Sequence, residues 1–133
     1  RETQQKVPQT AGELARCVYD NLALCYASEL QQLAQLTEDG KKIQKLHIVG
    51  GGSNNCFLNQ LTANIAQITI EAGPSEATAI GNVLMQMINA GVFASLSEAR
   101  QAVKRSFPCV VHKPQSHESN IVTEYQEFLK GVG

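Results

Sequence analysis

Apolar residues recur every three or four positions at Leu14, Val18, Leu22, Tyr26, Leu30 and Leu33, which predicts one long amphipathic helix over residues 10 to 37. Thr10 suits its N-cap, and Glu13 completes a capping box. Gly40, in "TEDGKK", breaks the pattern. "KLHIV" at 45 to 49 then reads as a short strand, and Leu46, Ile48 and Val49 suit one covered on both faces. Helical spacing returns over 54 to 66, with Leu58, Leu61 and Ile65 on one side. "QITIEAG" at 67 to 73 reads as a second strand. Pro74 and Ser75 open a third helix that runs to about Ala90, with Gly91 as its stop and Ile80, Val83, Leu84, Met87 and Ile88 as its stripe.

"SLSE" at 95 to 98 is another capping box and starts a short helix to about Ser106. Pro108 and Pro114 hold "FPCVVHKPQ" extended. Ser116 suits the cap of a last helix, with Ile121, Tyr125 and Phe128 facing inward. The strand–helix–strand order implies a parallel crossover. Two strands are a small sheet for an α/β domain. The chain is therefore expected to be the later part of a larger domain.

Composition narrows the classes without choosing one. The chain has 133 residues, 43% hydrophobic and 17% charged, with a net charge of −1. That is the make-up of a globular domain with a core, and it offers no basic surface for nucleic acid. Lys41, Lys42 and Lys45 read as a solvated group. No apolar run is long enough to span a membrane, and the polar start "RETQQKVPQT" has no signal-peptide core. A cytoplasmic protein is expected. Cys17, Cys25, Cys56 and Cys109 form no zinc-type spacing, and read as buried, reduced thiols. Cys17 and Cys25 would stand about 12 Å apart along a helix, too far for a disulfide. His47, His112 and His117 are scattered and read as structural or exposed.

The chemistry concentrates in "KLHIVGGGSNNCFLNQL", residues 45 to 61, where three glycines stand at a strand-to-helix corner. Glycines turn the chain sharply and let the next helix pack close, but one or two suffice for that. A dinucleotide fingerprint fails because Asn55 stands where its third glycine belongs, and a Walker loop fails because no GK[ST] follows. The remaining alternative to a plain corner is a mononucleotide-binding loop. Missing side chains would let a ligand approach the backbone, N–H groups at the start of the next helix would face a phosphate or ribose, and Asn54 and Asn55 would add amides.

"LHIVGGGSNNCFLNQLTANI" followed by "IEAGPSEATAIGN" resembles the C-terminal domain of the FGGY carbohydrate kinases, and "AGELARCVYDNLALCYASELQQL" fits the helix that precedes the glycine turn there. The resemblance covers roughly residues 7 to 115. It implies an α/β fold: part of an actin/hexokinase/Hsp70-type (ribonuclease H-like) ATPase domain, helix-rich with a short parallel sheet, and without the domain's first strands. Residues 1 to 133 are then one incomplete domain, the C-terminal portion of the kinase's second domain.

The resemblance also implies ATP as phosphoryl donor, with Mg2+ and the catalytic aspartate held outside this chain. The sugar would be bound mainly by the N-terminal domain. Gly51 is the expected main-chain contact to the nucleotide, with Gly52 and Gly50 beside it, and Asn55 would face the adenine or ribose. The second motif falls on Pro74, Glu76, Ala77, Thr78, Ala79, Gly81 and Asn82. It reads as packing: Pro74 fixes the helix start, Ala79 and Gly81 allow close helix–sheet approach, and Glu76 is structural. No catalytic or metal-binding residue is expected in this chain, which alone should not be catalytic. A sheet edge left open by the missing strands would favour self-association.

Overall fold

A computed structural model describes residues 7–36, 43–115 and 121–132. The first helix, α1, spans Ala11–Leu36. Its predicted capping box is formed. The Glu13 amide donates to Thr10 Oγ1 at 3.1 Å and the Thr10 amide donates to Glu13 Oε2 at 3.1 Å, so each residue satisfies a donor that the helix start leaves open.

The face that α1 buries differs from the predicted stripe. Ala23, Leu24, Ala27 and Ser28 are buried, whereas Leu14, Val18, Leu22, Tyr26 and Leu33 are exposed. The small side chains beside Leu24 let the helix lie close to its neighbour, and of the predicted stripe only Leu30 packs inward, against Ile68 and Ile70. That neighbour is α2, Cys56–Ala66, which contributes Leu58, Leu61 and Ile65 as expected. Helix α5, Ile121–Val132, closes this cluster with Val122 and Tyr125. The Gln126 amide also donates to Gln31 Oε1 of α1 at 2.8 Å. The Gly40 break, Lys41, Lys42, Ser116, His117 and the side chains of Ile121 and Phe128 lie outside the described parts.

Strands β1, Lys45–Ile48, and β2, Thr69–Ala72, pair in parallel with Leu46 opposite Ile70. The second strand starts later than predicted because Gln67 takes a left-handed conformation, φ 54°, that ends α2. A third strand, β3, Val110–His112, lies within the segment expected only to be extended. It pairs antiparallel to β2, which makes a mixed sheet of order β1-β2-β3. Side-chain bonds from α2 hold the chain after β3. Gln60 Nε2 donates to the Lys113 carbonyl at 2.8 Å, and the Gln115 amide donates to Asn64 Oδ1 at 3.0 Å.

One sheet face is covered. Ile70 packs there with Leu46, Ile48, Ala63, Ile68 and Leu30. The other face is open, contrary to the expectation for β1. His47 and Val49 are exposed, and Lys45 forms an ion pair with Glu71 across the strands. His47 Nδ1 lies 3.3 Å from the other Glu71 oxygen. The Lys45 hydrogen bond, against some desolvation and aided by the charges of Lys45, His47 and Lys104, holds the Glu71 carboxyl below its usual range.

Helix α3 spans Ala77–Asn89 and Gly91 follows it at φ 75°, as a helix stop. Its predicted stripe faces α4, Leu96–Ser106, across a cavity of about 380 Å³ lined in part by Ile80, Val83, Leu84 and Met87. No residue of α3 is buried, and a Cβ on Gly81 would meet nothing within 4 Å. The close helix–sheet approach expected at Ala79 and Gly81 is therefore not seen. The second capping box is formed: Ser95 Oγ accepts from the Glu98 amide at 3.2 Å, and Glu98 reaches back to the Ala94 amide at 2.8 Å. The cysteines are not buried as expected. Cys17, Cys25 and Cys56 are exposed, Cys109 is half-buried, and all are free. No helix among the described residues is long and apolar enough to cross a membrane.

Candidate functional site at the glycine turn

The parallel strands β1 and β2 both end at one edge of the sheet, where crossover folds place ligands. The Gly73 amide donates to the Ile48 carbonyl at 2.8 Å, and the Gly50 amide donates to the Pro74 carbonyl at 3.1 Å. These two bonds bring the starts of both sequence motifs together. Pro74, in a cis peptide with Gly73, stands three residues before α3 and holds the glycine turn, not the helix start.

The three glycines differ. Gly50 has φ 76° and ψ −164°, a combination almost confined to glycine. It turns the chain out of the sheet. Gly51, Gly52, Ser53 and Asn54 then form a 3₁₀ turn. Gly51 and Gly52 are exposed and have no positive φ. A Cβ on Gly51 would meet nothing within 4 Å, and one on Gly52 would sit 3.7 Å from Ile48 Cγ2, an ordinary contact. The amides that open such a turn have no carbonyl of the turn behind them, so those of Gly51 and Gly52 stand outside its internal hydrogen bonds.

Asn55 ends the turn and caps α2. Its Oδ1 accepts from the Leu58 amide at 3.0 Å, so the oxygen expected to face a ligand is already used, while its side-chain NH2 is a further donor. Two residues went unnoticed in the sequence. Ser53 Oγ donates to the Gly50 carbonyl at 2.7 Å, and the fully buried Asn59 donates through Nδ2 to the Ser53 carbonyl at 3.1 Å. Asn59 shares its buried face with Thr62, Ala63 and Ile65, so the only signal was a polar residue at an inward-facing position of the helix. The start of α2 adds a partial positive charge to the turn. Glu76 is exposed and makes no side-chain bond at the start of α3. No group of three His, Cys, Asp or Glu side chains among the described residues is placed to hold a metal ion.

A glycine turn between a parallel strand and the start of a helix is an arrangement at which phosphorylated ligands can bind. Residues 2–90 match the C-terminal domain of the FGGY family of carbohydrate kinases, and the chain belongs to that family. Among curated proteins it is similar to the rhamnulokinase of Enterococcus faecalis, with 55% identity over 130 residues, covering 98% of this chain and 26% of the relative. It is also similar to the rhamnulokinase of Bacillus subtilis, at 50% identity, 97% of this chain and 26% of the relative. That of Lactiplantibacillus plantarum is 44% identical with the same coverage. The chain thus spans about a quarter of the length of the curated relatives it matches.

Proposed function

We propose that this chain forms the nucleotide-facing part of an ATP-dependent kinase that converts L-rhamnulose to L-rhamnulose 1-phosphate. The observation that carries the reading is the pair of exposed glycines, Gly51 and Gly52, whose amides open the turn before α2 with no side chain over them. This surface fits a nucleotide: the backbone can be approached closely, and its donors suit phosphate or ribose oxygens. Gly51 and Gly52 make the main-chain contacts, Asn55 adds an amide at the rim, and Gly50 shapes the corner. ATP supplies the phosphoryl group that the sugar hydroxyl accepts. This chain's share of the reaction is to bind and orient that donor, since phosphoryl transfer depends mostly on positioning and charge stabilisation. The sugar site, the general base and the acidic residues that position Mg2+ belong to other parts of the kinase.

The names of the similar proteins favour rhamnulose over xylulose or fuculose, which other kinases of this family class would take. Residues 1–133 are read as one portion of the second domain, working in the cytoplasm with exposed reduced thiols. The test is a chimera in which this chain replaces the matched quarter of the Enterococcus faecalis relative. It should phosphorylate L-rhamnulose with ATP, and Gly51→Val in it should raise KM for ATP and leave KM for the sugar unchanged. A folded chimera that transfers phosphate to xylulose or fuculose in preference would overturn the substrate. One whose ATP kinetics ignore Gly51→Val would overturn the site.

A further inference from the structure

Asn59 is 0% exposed, yet half of its side chain has nothing to bond. Its Nδ2 donates to the Ser53 carbonyl at 3.1 Å, while Oδ1 is buried without a hydrogen-bond partner. A leucine of similar size would fill the space and drop the orphaned Oδ1, at the cost of the bond to the Ser53 carbonyl. An amide at this place is a poor choice for stability alone.

Its one bond reaches back six residues, from inside α2 to the 3₁₀ turn. Ser53 continues the link. Its amide and its Oγ both donate to the Gly50 carbonyl, at 3.0 and 2.7 Å. Gly50 is in turn held by the Pro74 carbonyl at 3.1 Å. The exposed Gly51 and Gly52 lie between these fixed points, and no side chain of their own can hold them. A glycine pair has more backbone freedom than any other, so the direction of its amides depends on what clamps the ends.

We infer that Asn59 is a positioning residue for the nucleotide: through Ser53 it fixes the direction of the Gly51 and Gly52 amides. This rests on the nucleotide reading of the turn. Asn59 touches no ligand itself. It removes the ordering that binding would otherwise impose on the loop, so its effect falls on ATP affinity.

The test uses the intact protein that carries this chain, with Asn59→Leu, Ser53→Ala and Gly51→Val made separately. Asn59→Leu should keep its melting temperature and raise KM for ATP about tenfold, the loss of roughly one hydrogen bond's worth of order. KM for the sugar should stay within about twofold. Ser53→Ala should raise KM for ATP by about threefold, with the sugar constant again unmoved. A folded Asn59→Leu protein with unchanged KM for ATP overturns the inference. If that variant does not fold, an unchanged KM for ATP in Ser53→Ala overturns it. Gly51→Val separates the two levels. If it raises KM for ATP while the other variants do not, only the role of Asn59 falls; if none of the three changes it, the nucleotide reading falls as well.

Discussion

Alanine at Gly50 and at Gly51 should fail in opposite ways, although the two residues are neighbours. At Gly50 the backbone has φ 76° and ψ −164°, and a Cβ would stand 3.9 Å from the Ser75 carbonyl oxygen. Nothing collides, so the penalty is conformational, about 1–3 kcal/mol for a non-glycine residue held in that region. That is roughly a 5- to 150-fold drop in the folding constant. At Gly51 there is no positive φ and no atom within 4 Å of an added Cβ. Alanine there costs the fold nothing by contact, and the reduced freedom of the unfolded chain can stabilise it by about 0.4–1 kcal/mol. If the turn receives a nucleotide, however, a side chain at Gly51 stands in the ligand's way. Measured in the intact protein, Gly50→Ala should lower thermal or urea stability, while Gly51→Ala and, more strongly, Gly51→Val should raise KM for ATP and spare KM for the sugar. A Gly50→Ala protein of unchanged stability would refute the conformational argument, and a folded Gly51→Val protein with unchanged ATP kinetics would refute the ligand argument.

Asn55→Ala should lose about 1 kcal/mol of stability, because Asn55 caps α2 through the Leu58 amide, and should raise KM for ATP slightly; a stability unchanged in urea titration would contradict the cap. The chain alone should show no sugar-dependent ATP turnover in a coupled assay and should self-associate on a sizing column, since Leu14, Val18, Leu22 and Tyr26 leave an apolar stripe open along α1; turnover, or a clean monomer at high concentration, would count against this. Glu71→Gln should destabilise the protein at neutral pH. Because the folded pKa of Glu71 is lowered, its contribution is present above the ordinary carboxylate range and is lost as pH falls through the folded value, so wild type and variant should converge in acid. Parallel stability curves across that range would exclude the Lys45–Glu71 pair as the cause.

What could be read from the sequence was mostly what is decided within a few residues. Both capping boxes, the stop at Gly91 and the order of the helices depend on local hydrogen bonds and backbone preferences, and these are present, although α3 starts at Ala77 and not at Pro74. The buried face of α1 depends on a partner. Large apolar residues at helical spacing suggested the stripe from Leu14 to Leu33, but the cluster shared with α2 uses Ala23, Leu24 and Ala27, two of them small enough to suit close packing. Strand β3 was missed for the same reason. Three residues between prolines carry little pattern of their own, and their pairing with β2 joins positions about forty apart in the chain, such as Ile70 and His112. Helix α3 had a legible stripe but no legible partner: the stripe meets α4, so the small residues of its motif do not approach the sheet.

The glycine turn divides along the same line, and its geometry explains why one glycine was not enough. Composition and position alone showed that the corner was unusual; they could not assign a separate task to each residue. Gly50 is required by a dihedral angle, which only the backbone reveals. Gly51 is required by nothing among the described residues, since its Cβ direction is empty. On the proposed nucleotide reading that space belongs to the ligand, which is what Gly51→Val tests. Gly52 lies between, with an ordinary contact to Ile48. The polar residues divide likewise: Asn55 was singled out for a ligand and spends its oxygen on the helix, whereas the buried Asn59, overlooked, gives its side-chain NH2 to the turn.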